Sequence, residues 1–412
     1  MNDLTKICQS GRVTLIMNSY PIVKILPRRD IPVLAGHPWI FSNGVESPSR
    51  SIPNGSLVNI SNADNQPIGV GFYNDESSIR VRMLSLKPND TIDLNFLKTR
   101  LLDLKEAKLR RLPDQTTGFR WVYAESDNLP GLIIDQFGDT TVFQIHTAGM
   151  ERLKDMLINI LKDIGGANII ERSDVGIRKE EGLSTFPILV HQGHSDEARF
   201  LENNLSFSAD VMKGQKTGFF LDQREARMLI GEQSNQKEVL NLFSYTGAFS
   251  VAAAIGGAKQ VTSVDISQEA LNRAQHHFTL NKLRLTEHEF IATDAFKFID
   301  KAAKKTYDLI ICDPPAFAKT AAQAKVATEA YIRINKKCLE HLPVGGRLLT
   351  SSCSGRISAT DFEKILRTAA TQANKQIRIV KRLGQSSCHT QRLAFPEGQY
   401  LKTLFVEILP WG

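Results

Sequence analysis

The segment Leu240–Ser267, LNLFSYTGAFSVAAAIGGAKQVTSVDIS, sets the fold class of this chain. It contains an apolar strand, a turn at Gly247, a helix of small residues and a second strand that ends at Asp265. A strand, a glycine turn and a helix that leads to another strand form one unit of a doubly wound sheet. A carboxylate about 20 residues after such a turn can accept hydrogen bonds from both hydroxyls of a ribose. The segment therefore predicts an α/β domain with a nucleoside site.

Strand and helix patterns alternate over the remainder of the C-terminal half. Seven strands are predicted, with the sequences EVLNLF, QVTSVDI, EFIATDA, YDLIICDPP, GGRLLTSSCS, QIRIVKRL and TLFVEIL. Amphipathic stretches such as SQEALNRAQHHFTLNK and ATDFEKILRTAATQAN separate most of them. Ligands of such a sheet bind at the carboxyl ends of its strands, so residues at those ends are the functional candidates.

Three aspartates stand at the ends of consecutive predicted strands, namely Asp265, Asp294 and Asp313. Each could be a solvated loop acid, and the first unit alone fits an ordinary turn glycine and a surface aspartate equally well. As a set, the three acids line one rim, where they could bind a ribose and an adenine amino group. The full G-x-G-x-x-G pattern is absent, which counts against a dinucleotide. A methyl-sulfonium cofactor with ribose and adenine but no phosphate fits the pattern.

The loop DPPAF, Asp313–Phe317, carries a more specific signal. Its prolines, Pro314 and Pro315, fix the backbone and remove N–H donors, so the carbonyl oxygens point outward. Such a loop can accept a hydrogen bond from an amino group, and Phe317 can stack on a planar base. Lys319, two residues after the loop, is a candidate contact for phosphate. A loop braced by prolines for structural reasons alone is the alternative interpretation.

Composition restricts the class of protein. The chain has 412 residues, 42% of them hydrophobic, and a formal net charge of +7. That size supports more than one core, and the positive charge suits a polyanionic partner such as nucleic acid. The five cysteines form no CxxC pair, so we expect no disulfide framework and no metal site, and we expect a reducing cytoplasm. No apolar run approaches the roughly 18 residues of a membrane helix.

Basic residues cluster at positions 105–111 and 178–179, and these clusters are interpreted as solvated surface.

Three segments are expected after a leader over residues 1–16 without a fixed fold, and Met17 could be the true start. Residues 17–92 contain SLVNI, IGVGFY and IRVRML between turn residues, which predicts a small β-barrel domain. Residues 93–198 mix helical stretches with strands around a Gly-Asp turn, which predicts an α+β domain. Residues 199–412 then form the doubly wound domain.

Together these motifs resemble class I S-adenosylmethionine-dependent methyltransferases, and more closely the bacterial PUA-domain enzymes that methylate cytosine C5 in large-subunit rRNA. The resemblance covers nearly the whole chain and rests on the combination of GHPWIFS, SSIRVRML, ESDNLPGLIIDQFG, ERSDVGIRKEEG, GQKTGFFLDQR, NLFSYTGAFS, DPPAFAK, SSCSG and FPEGQYLK. It implies a PUA-like β-barrel domain, a mixed middle domain and a Rossmann-like methyltransferase domain with a seven-stranded mixed sheet. It also implies 23S rRNA as substrate, a cytoplasmic location and a homodimer, for which the sequence shows no interface signature.

The resemblance assigns residues to the cofactor. Residues 214–224, GQKTGFFLDQR, are expected to form a hairpin and a helix start that close over it, although a plain hairpin that packs Phe219 and Phe220 in the core has the same pattern. The residues expected around the methionine moiety are Gln223, Arg224, Asn241, Ser244, Tyr245 and Gly247. Asp265 is expected on the ribose and Asp294 near the adenine.

Cys353 stands in SSCSG at the end of a predicted strand and is the candidate nucleophile. Cytosine C5 is too weakly nucleophilic to take a methyl group unaided, and a thiolate that adds to C6 makes C5 reactive. Strand order in this fold class places SSCSG beside CDPPAF, so Cys353 can face Asp313, which could bind the cytosine amino group and N3. A buried cysteine that only fills space is the alternative. The base that removes the C5 proton is left unassigned.

Other functions stay open at this point. A uridine-C5 methyltransferase would need the cysteine equally, whereas a guanine methyltransferase would not need Cys353. An RNA-binding assembly factor that keeps the fold without turnover is a further alternative, which failure to bind S-adenosylmethionine would favour. For each of the enzymes, a target base in folded RNA must leave its stack to reach the site.

Overall fold

The computed structural model describes residues 20–88, 90–193, 196–301, 306–317 and 324–410. These residues form three β-sheets and a separate two-stranded hairpin, connected by helices and loops. The expected leader at residues 1–16, Met17 and Lys319 lie outside this part of the chain. Within it, no helix combines the length and the apolar character needed to cross a membrane.

The first sheet consists of five short strands. They are β1 (Ile22–Lys24), β2 (Trp39–Phe41), β3 (Leu57–Ser61), β4 (Pro67–Tyr73) and β5 (Ile79–Ser85), with the one-turn helix α1 (Ile31–Leu34) between β1 and β2. Their order is β1-β3-β4-β5-β2, and a bridge between Ile25 and Val45 joins the two edges. The sheet thus closes into a small barrel around residues such as Val58, Ile60 and Val81, which confirms the three strands predicted here.

The second sheet is covered by helices. Its strands are β6 (Gly118–Tyr123), β7 (Leu132–Phe137), β8 (Thr140–Ile145), β9 (Asn168–Glu171) and β10 (Leu189–Gln192), in the order β10-β9-β8-β7-β6. The helices are α2 (Leu94–Leu109), α3 (Ala148–Arg152) and α4 (Lys154–Ile164), and they share an apolar core with the sheet. Strands β7 and β8 confirm the prediction of two strands around a Gly-Asp turn, whereas β6 and β10 have no counterpart among the predicted strands.

Two basic residues in this part of the chain are buried, so their interpretation as solvated surface is wrong. Lys108 is 1% exposed and Arg178 is 2% exposed. The Nζ of Lys108 pairs with the Asp127 carboxylate at 2.9 Å, and Nη1 of Arg178 pairs with Glu151 at 2.9 Å. Each charge is therefore matched by a carboxylate inside the protein, which a run of basic residues in the sequence does not reveal.

A hairpin precedes the third sheet. Its strands are β11 (Glu197–Glu202) and β12 (Leu205–Asp210). Residues 214–224, for which a hairpin was expected, follow it and form turns that lead into helix α5 (Arg224–Gln233). The hairpin prediction is wrong, since no residue of this segment is in a strand, and Lys216 and Gly218 have the positive φ angles of tight turns, 53° and 117°. The predicted helix start is confirmed.

The third sheet contains seven strands, and all of them correspond to predicted strands. They are β13 (Glu238–Leu242), β14 (Gln260–Asp265), β15 (Glu289–Ala292), β16 (Leu309–Cys312), β17 (Arg347–Ser352), β18 (Ile377–Leu383) and β19 (Lys402–Ile408). The helices between them are α6 (Ala248–Ile255), α7 (Gln268–Leu280), α8 (Ala295–Lys301), α9 (Ala324–Glu340) and α10 (Ala359–Gln372). The order is β15-β14-β13-β16-β17-β19-β18, and β19 runs antiparallel to both of its neighbours.

This topology creates a crevice beside β13. Strands β14 and β15 lie on one side of β13, and β16 and β17 lie on the other, all parallel to it. Apolar side chains cover both faces, with α8, α9 and α10 on one face and α5 and α6 on the other. The crevice at the carboxyl ends, where the chain order reverses, is the place where such sheets bind ligands.

Candidate active site

A cavity of about 480 Å³ opens at the carboxyl edge of the third sheet. It is bounded by the turn after β13, the end of β14, the loops after β15, β16 and β17, and the segment before α5. The predicted site residues that line it are Gln223, Ser244, Tyr245, Asp265, Asp294, Asp313, Pro314, Pro315, Phe317 and Cys353. The fold therefore gathers side chains from distant parts of the chain around one space.

The turn after β13 brings Ser244 and Tyr245 to the cavity. Gly247 ends this turn with a φ of +73°, and its N–H donates a hydrogen bond to the carbonyl oxygen of Ser244 at 2.8 Å. A Cβ atom at this position would lie 2.6 Å from the Cβ of Ala274, so the turn requires glycine. Gly247 does not itself line the cavity, and its role is to shape the turn.

The Asp265 carboxylate is fixed at the end of β14 by two backbone N–H groups. The N–H of Tyr245 donates to one oxygen at 2.8 Å, and the N–H of Ser267 donates to the other at 2.9 Å. A carboxylate has about four acceptor positions, so each oxygen keeps one for a group in the cavity. Two fixed acceptors side by side suit the diol of a ribose.

The neighbouring part of the cavity combines a carboxylate with aromatic rings. Asp294 stands at the start of α8, where one of its oxygens accepts a hydrogen bond from the N–H of Lys297 at 2.9 Å. Phe243, Phe296 and Phe317 lie beside it, with ring centroids 6.2, 6.4 and 6.1 Å apart in pairs. Aromatic walls with an acceptor at the edge suit a planar purine that carries an amino group.

Residues of the cavity wall carry buried polar atoms that lack partners. Within the described ranges, Ser244 Oγ, Gln223 Oε1 and Asp222 Oδ1 are buried and make no hydrogen bond, and all three residues line the cavity. Buried polar atoms in proteins are normally hydrogen-bonded, so these atoms indicate a polar ligand. Together with the acceptors of Asp265 and Asp294, they fit S-adenosylmethionine.

Cys353 and Asp313 follow neighbouring parallel strands. Cys312, the last residue of β16, is in register with Thr350 of β17, so both strand ends open on the same cavity. Burial and the charge of Asp222 raise the pKa of Asp313 to about 7. Burial and the charge of Asp313 raise the pKa of the Cys353 thiol above its ordinary value. A proton donor and a latent nucleophile therefore share this end of the cavity.

Asp222 and Lys216 line the same end, and the sequence analysis did not single them out. Asp222 is 5% exposed, accepts a hydrogen bond from the Tyr400 hydroxyl and lies 3.7 Å from Nζ of Lys216. Burial acts to raise the pKa of Asp222, but the charge of Lys216 and the hydrogen bond from Tyr400 help to bring it well below its ordinary value. Asp222 belongs to the GQKTGFFLDQR motif, but an acid just before a helix looks like an ordinary N-terminal cap.

Two residues assigned to the cofactor by resemblance lie behind the cavity wall. The Arg224 guanidinium donates hydrogen bonds to Glu225 at 3.0 Å and to Ser387 Oγ at 2.8 Å. The Nδ2 of Asn241 donates to Ser250 Oγ at 2.9 Å. Neither residue lines the cavity, and each braces a segment next to it.

Among the four cysteines that the structure describes, only Cys353 lines the cavity. Cys312 and Cys338 are buried in the apolar cluster on one face of the third sheet. Cys388 is buried in the loop after β18. Cys312 therefore lies among apolar side chains and not in the cavity, although it ends the strand before Asp313.

Two family models match the chain. Residues 23–86 match the model of PUA-like domains, and residues 191–391 match that of S-adenosylmethionine-dependent methyltransferases. These matches confirm the expected PUA-like and methyltransferase domains and the expected cofactor.

Curated relatives are similar over nearly the whole chain. The ribosomal RNA large subunit methyltransferase I of Alteromonas mediterranea is 37% identical over 391 residues, which cover 94% of this chain and 98% of the relative. The protein of the same name from Aeromonas salmonicida is 38% identical over 389 residues, which cover 93% and 98%.

Solved structures share the fold. A crystal structure assigned to a methyltransferase complexed with SAH has a TM-score of 0.80 and 23% identity, and the match covers 94% of this chain and 100% of that one. A structure from Streptococcus mutans that was assigned to a SAM-dependent methyltransferase has a TM-score of 0.79 and 22% identity, and the match also covers 94% of this chain and 100% of that one. The predicted fold class, a Rossmann-like methyltransferase domain preceded by a PUA-like barrel, is confirmed.

Proposed function

This chain belongs to the ribosomal RNA large subunit methyltransferase I family, and we propose that it methylates carbon 5 of a cytosine in 23S rRNA. The observation that carries the proposal is the convergence of the Cys353 thiol and the Asp313 carboxyl on one cavity. The same cavity holds the ribose-type acceptors of Asp265 and the purine-type pocket at Asp294. The cofactor and the reacting base would therefore meet above the ends of β16 and β17.

The cofactor supplies a methyl group on a sulfonium when it is bound. Asp265 would hold the ribose, Asp294 and Phe296 the adenine, and Ser244 and Gln223 the methionine part. The buried, unpartnered Ser244 Oγ and Gln223 Oε1 support this assignment, because a polar ligand would satisfy them. Arg224 and Asn241 would act only by bracing the wall.

The protein side of the chemistry would begin at Cys353. Its thiolate adds to C6 of the cytosine, and the proton of Asp313 passes to N3. This addition makes C4 and C5 an electron-rich enamine, so C5 can bond to a methyl group. The rigid loop of Pro314 and Pro315 fixes Asp313 for this transfer, and Phe317 would stack on the base.

The protonation of Asp313 favours cytosine over uracil. N3 of cytosine accepts a hydrogen bond, whereas N3 of uracil carries a proton and donates one. Because the pKa of Asp313 is raised to about 7, a large fraction of the carboxyl stays protonated near neutral pH and can donate to an acceptor. A guanine methyltransferase would have no use for the thiol. These features support cytosine among the alternatives.

The rest of the chain would serve the RNA. The net charge of +7 suits a polyanion, and the N-terminal barrel could hold folded RNA by shape and phosphate contacts while the target base leaves its stack. Lys319 would contact phosphate beside the Pro-Pro loop. We also propose a cytoplasmic location, where rRNA is made, and a homodimer, which a sedimentation measurement would test.

The test is methylation of unmodified large-subunit rRNA with methyl-labelled S-adenosylmethionine, followed by mass spectrometry of the nucleosides. We expect label in 5-methylcytidine, no product with Cys353→Ala, and product with Cys312→Ala. Cys312→Ala is a matched control because that thiol lies on the next strand but outside the cavity. Label in another nucleoside, or activity that survives Cys353→Ala, contradicts the proposal.

A further inference from the structure

We propose that the Asp222 carboxylate is the base that accepts the proton from C5 after methyl transfer. This inference rests on the proposed function, since it concerns the resolution of the Cys353 adduct. Asp222 lines the cavity together with Cys353 and Asp313, and its Oδ1 has no hydrogen-bond partner in the described part of the chain. A proton acceptor needs such a free oxygen next to the reacting carbon.

The surroundings of Asp222 hold it in place. Its Oδ2 accepts the hydrogen bond of the Tyr400 hydroxyl, and its backbone oxygen accepts one from the N–H of Ser386 at 2.8 Å. Lys216 Nζ stands 3.7 Å from the same Oδ2. With Oδ2 held by the protein, Oδ1 keeps its acceptor positions unused.

The other carboxyl groups and the thiol of the cavity have different tasks. Asp265 and Asp294 lie at the ribose and purine positions, where backbone N–H groups hold them. Asp313 retains its proton and would donate it to N3, and Cys353 is the nucleophile. Asp222 is the carboxylate that remains, and its lowered pKa keeps it ionised where Asp313 is protonated. Two carboxyl groups with opposite protonation states are a common basis for dividing acid and base roles.

The step balances without another reactant. In the methylated adduct, C5 carries a hydrogen and the new methyl group, C6 carries the Cys353 sulfur, and N3 has returned its proton to Asp313. Asp222 takes the hydrogen of C5 as a proton, the electron pair of that bond forms the C5–C6 double bond, and the C6–S bond breaks to release the Cys353 thiolate. The proton then passes from Asp222 to water.

The test uses the full-length protein and an RNA that contains the target cytosine. Loss of the base should leave attack and methyl transfer intact but stop elimination, so Asp222→Asn should accumulate a covalent protein–RNA adduct. The adduct is read as a shifted band on a denaturing gel, and we expect its resolution to slow by about 100-fold or more. Asp222→Glu, which keeps a carboxylate, should restore part of the turnover without a persistent band. Cys353→Ala should give no band.

RNA with 5-fluorocytidine separates this inference from the proposed function. Because this base has no C5 proton to lose, the unaltered protein should be trapped on it. If the unaltered protein is not trapped, the result contradicts the covalent mechanism itself. A second outcome is that the unaltered protein and Asp222→Asn are both trapped on 5-fluorocytidine, but Asp222→Asn gives no band on ordinary cytosine. This outcome contradicts the assignment of Asp222 as the base and leaves the covalent mechanism standing. If Asp222→Asn is not trapped on 5-fluorocytidine, Asp222 acts in an earlier step, and its assignment as the base is wrong.

A second variant covers the case in which Asp222→Asn does not fold, as judged by its melting temperature and by SAH binding. Tyr400→Phe removes the hydrogen bond that fixes Oδ2 but keeps the ring. We expect it to form the adduct normally and to resolve it several-fold more slowly. Resolution at the unaltered rate in Tyr400→Phe would then contradict the assignment.

Discussion

The Nζ of Lys402 donates hydrogen bonds to the carbonyl oxygens of Ser354, at 2.6 Å, and Tyr400, at 2.7 Å. Lys402 begins β19, and Ser354 directly follows Cys353, so the ammonium group ties the last strand to the turn that carries the thiol. Burial lowers the pKa of Lys402 to about 8, while the neighbouring Cys353 acts in the opposite direction. Below that pH, the lysine is a positive charge that stabilises the Cys353 thiolate.

We therefore predict that Lys402→Met raises the pKa of Cys353 further and slows its alkylation. At a pH of about 7.5, where the lysine is mostly charged, the rate with iodoacetamide should fall about threefold to tenfold, because less thiolate is present. Lys364→Met is the control, since Lys364 lies exposed on α10 and pairs only with Asp361 among the contacts described. Equal alkylation rates in both variants would show that Lys402 serves only to hold the turn.

The rate of methylation should depend on pH in a way that reports the protonation of Asp313. The reaction needs Cys353 ionised, so its rate increases with pH up to the raised pKa of the thiol. It also needs Asp313 protonated, and that form is lost as the pH increases through about 7. Above that pH the gain in thiolate and the loss of protonated Asp313 cancel each other. We therefore expect kcat/KM to increase with pH up to about pH 7 and then to stay constant.

In Asp313→Asn, the change of slope of kcat/KM near neutral pH should disappear. The rate should be lower by about 100-fold or more, because an amide cannot transfer a proton to N3, and it should keep rising with pH toward the pKa of Cys353. Initial rates over a range from about pH 6 to about pH 9, at saturating cofactor, measure both profiles. A break near 7 that persists in Asp313→Asn would assign it to another group.

The sequence allowed the third sheet and most of its rim to be predicted for a physical reason. Strand β14 ends at Asp265 and β16 ends just before Asp313, and parallel strands place their carboxyl ends at one edge, so Asp265, Asp313 and Cys353 could be grouped. Asp222 and Tyr400 are 178 positions apart, and only the packing of the 215–223 segment against the start of β19 brings them together. No local pattern encodes that contact.

Burial of charge was also invisible in the sequence. Lys108 follows other basic residues at the end of α2, and a helix with such an end usually exposes them. Its burial arises because residues 388–390, far along the chain, fold over that end of the helix. A local pattern shows which residues can be exposed, whereas the tertiary partner decides which of them are.

A glycine substitution should weaken the cofactor site without contacting it. In Gly247→Ala the new Cβ would meet the Cβ of Ala274 at 2.6 Å, and φ is +73°, so the turn that carries Ser244 and Tyr245 must shift. We expect SAH to bind about tenfold more weakly by calorimetry. Gly257→Ala is the matched control, because Gly257 also has a positive φ, of +85°, but lies outside the cavity lining. Equal losses of affinity would point to a general loss of stability.

The buried Lys108 should contribute to stability far more than its neighbour Arg110. Lys108 pairs with Asp127 and also donates to the carbonyl oxygen of Cys388 at 2.7 Å, whereas Arg110 makes a surface pair with Glu106 at 3.5 Å. Lys108→Met leaves the Asp127 carboxylate buried without its cation, which should lower the free energy of unfolding by about 3–5 kcal/mol. Arg110→Met should change it by about 0.5 kcal/mol or less. Denaturant unfolding measures both, and similar small effects would mean that water reaches Asp127 once Lys108 is replaced.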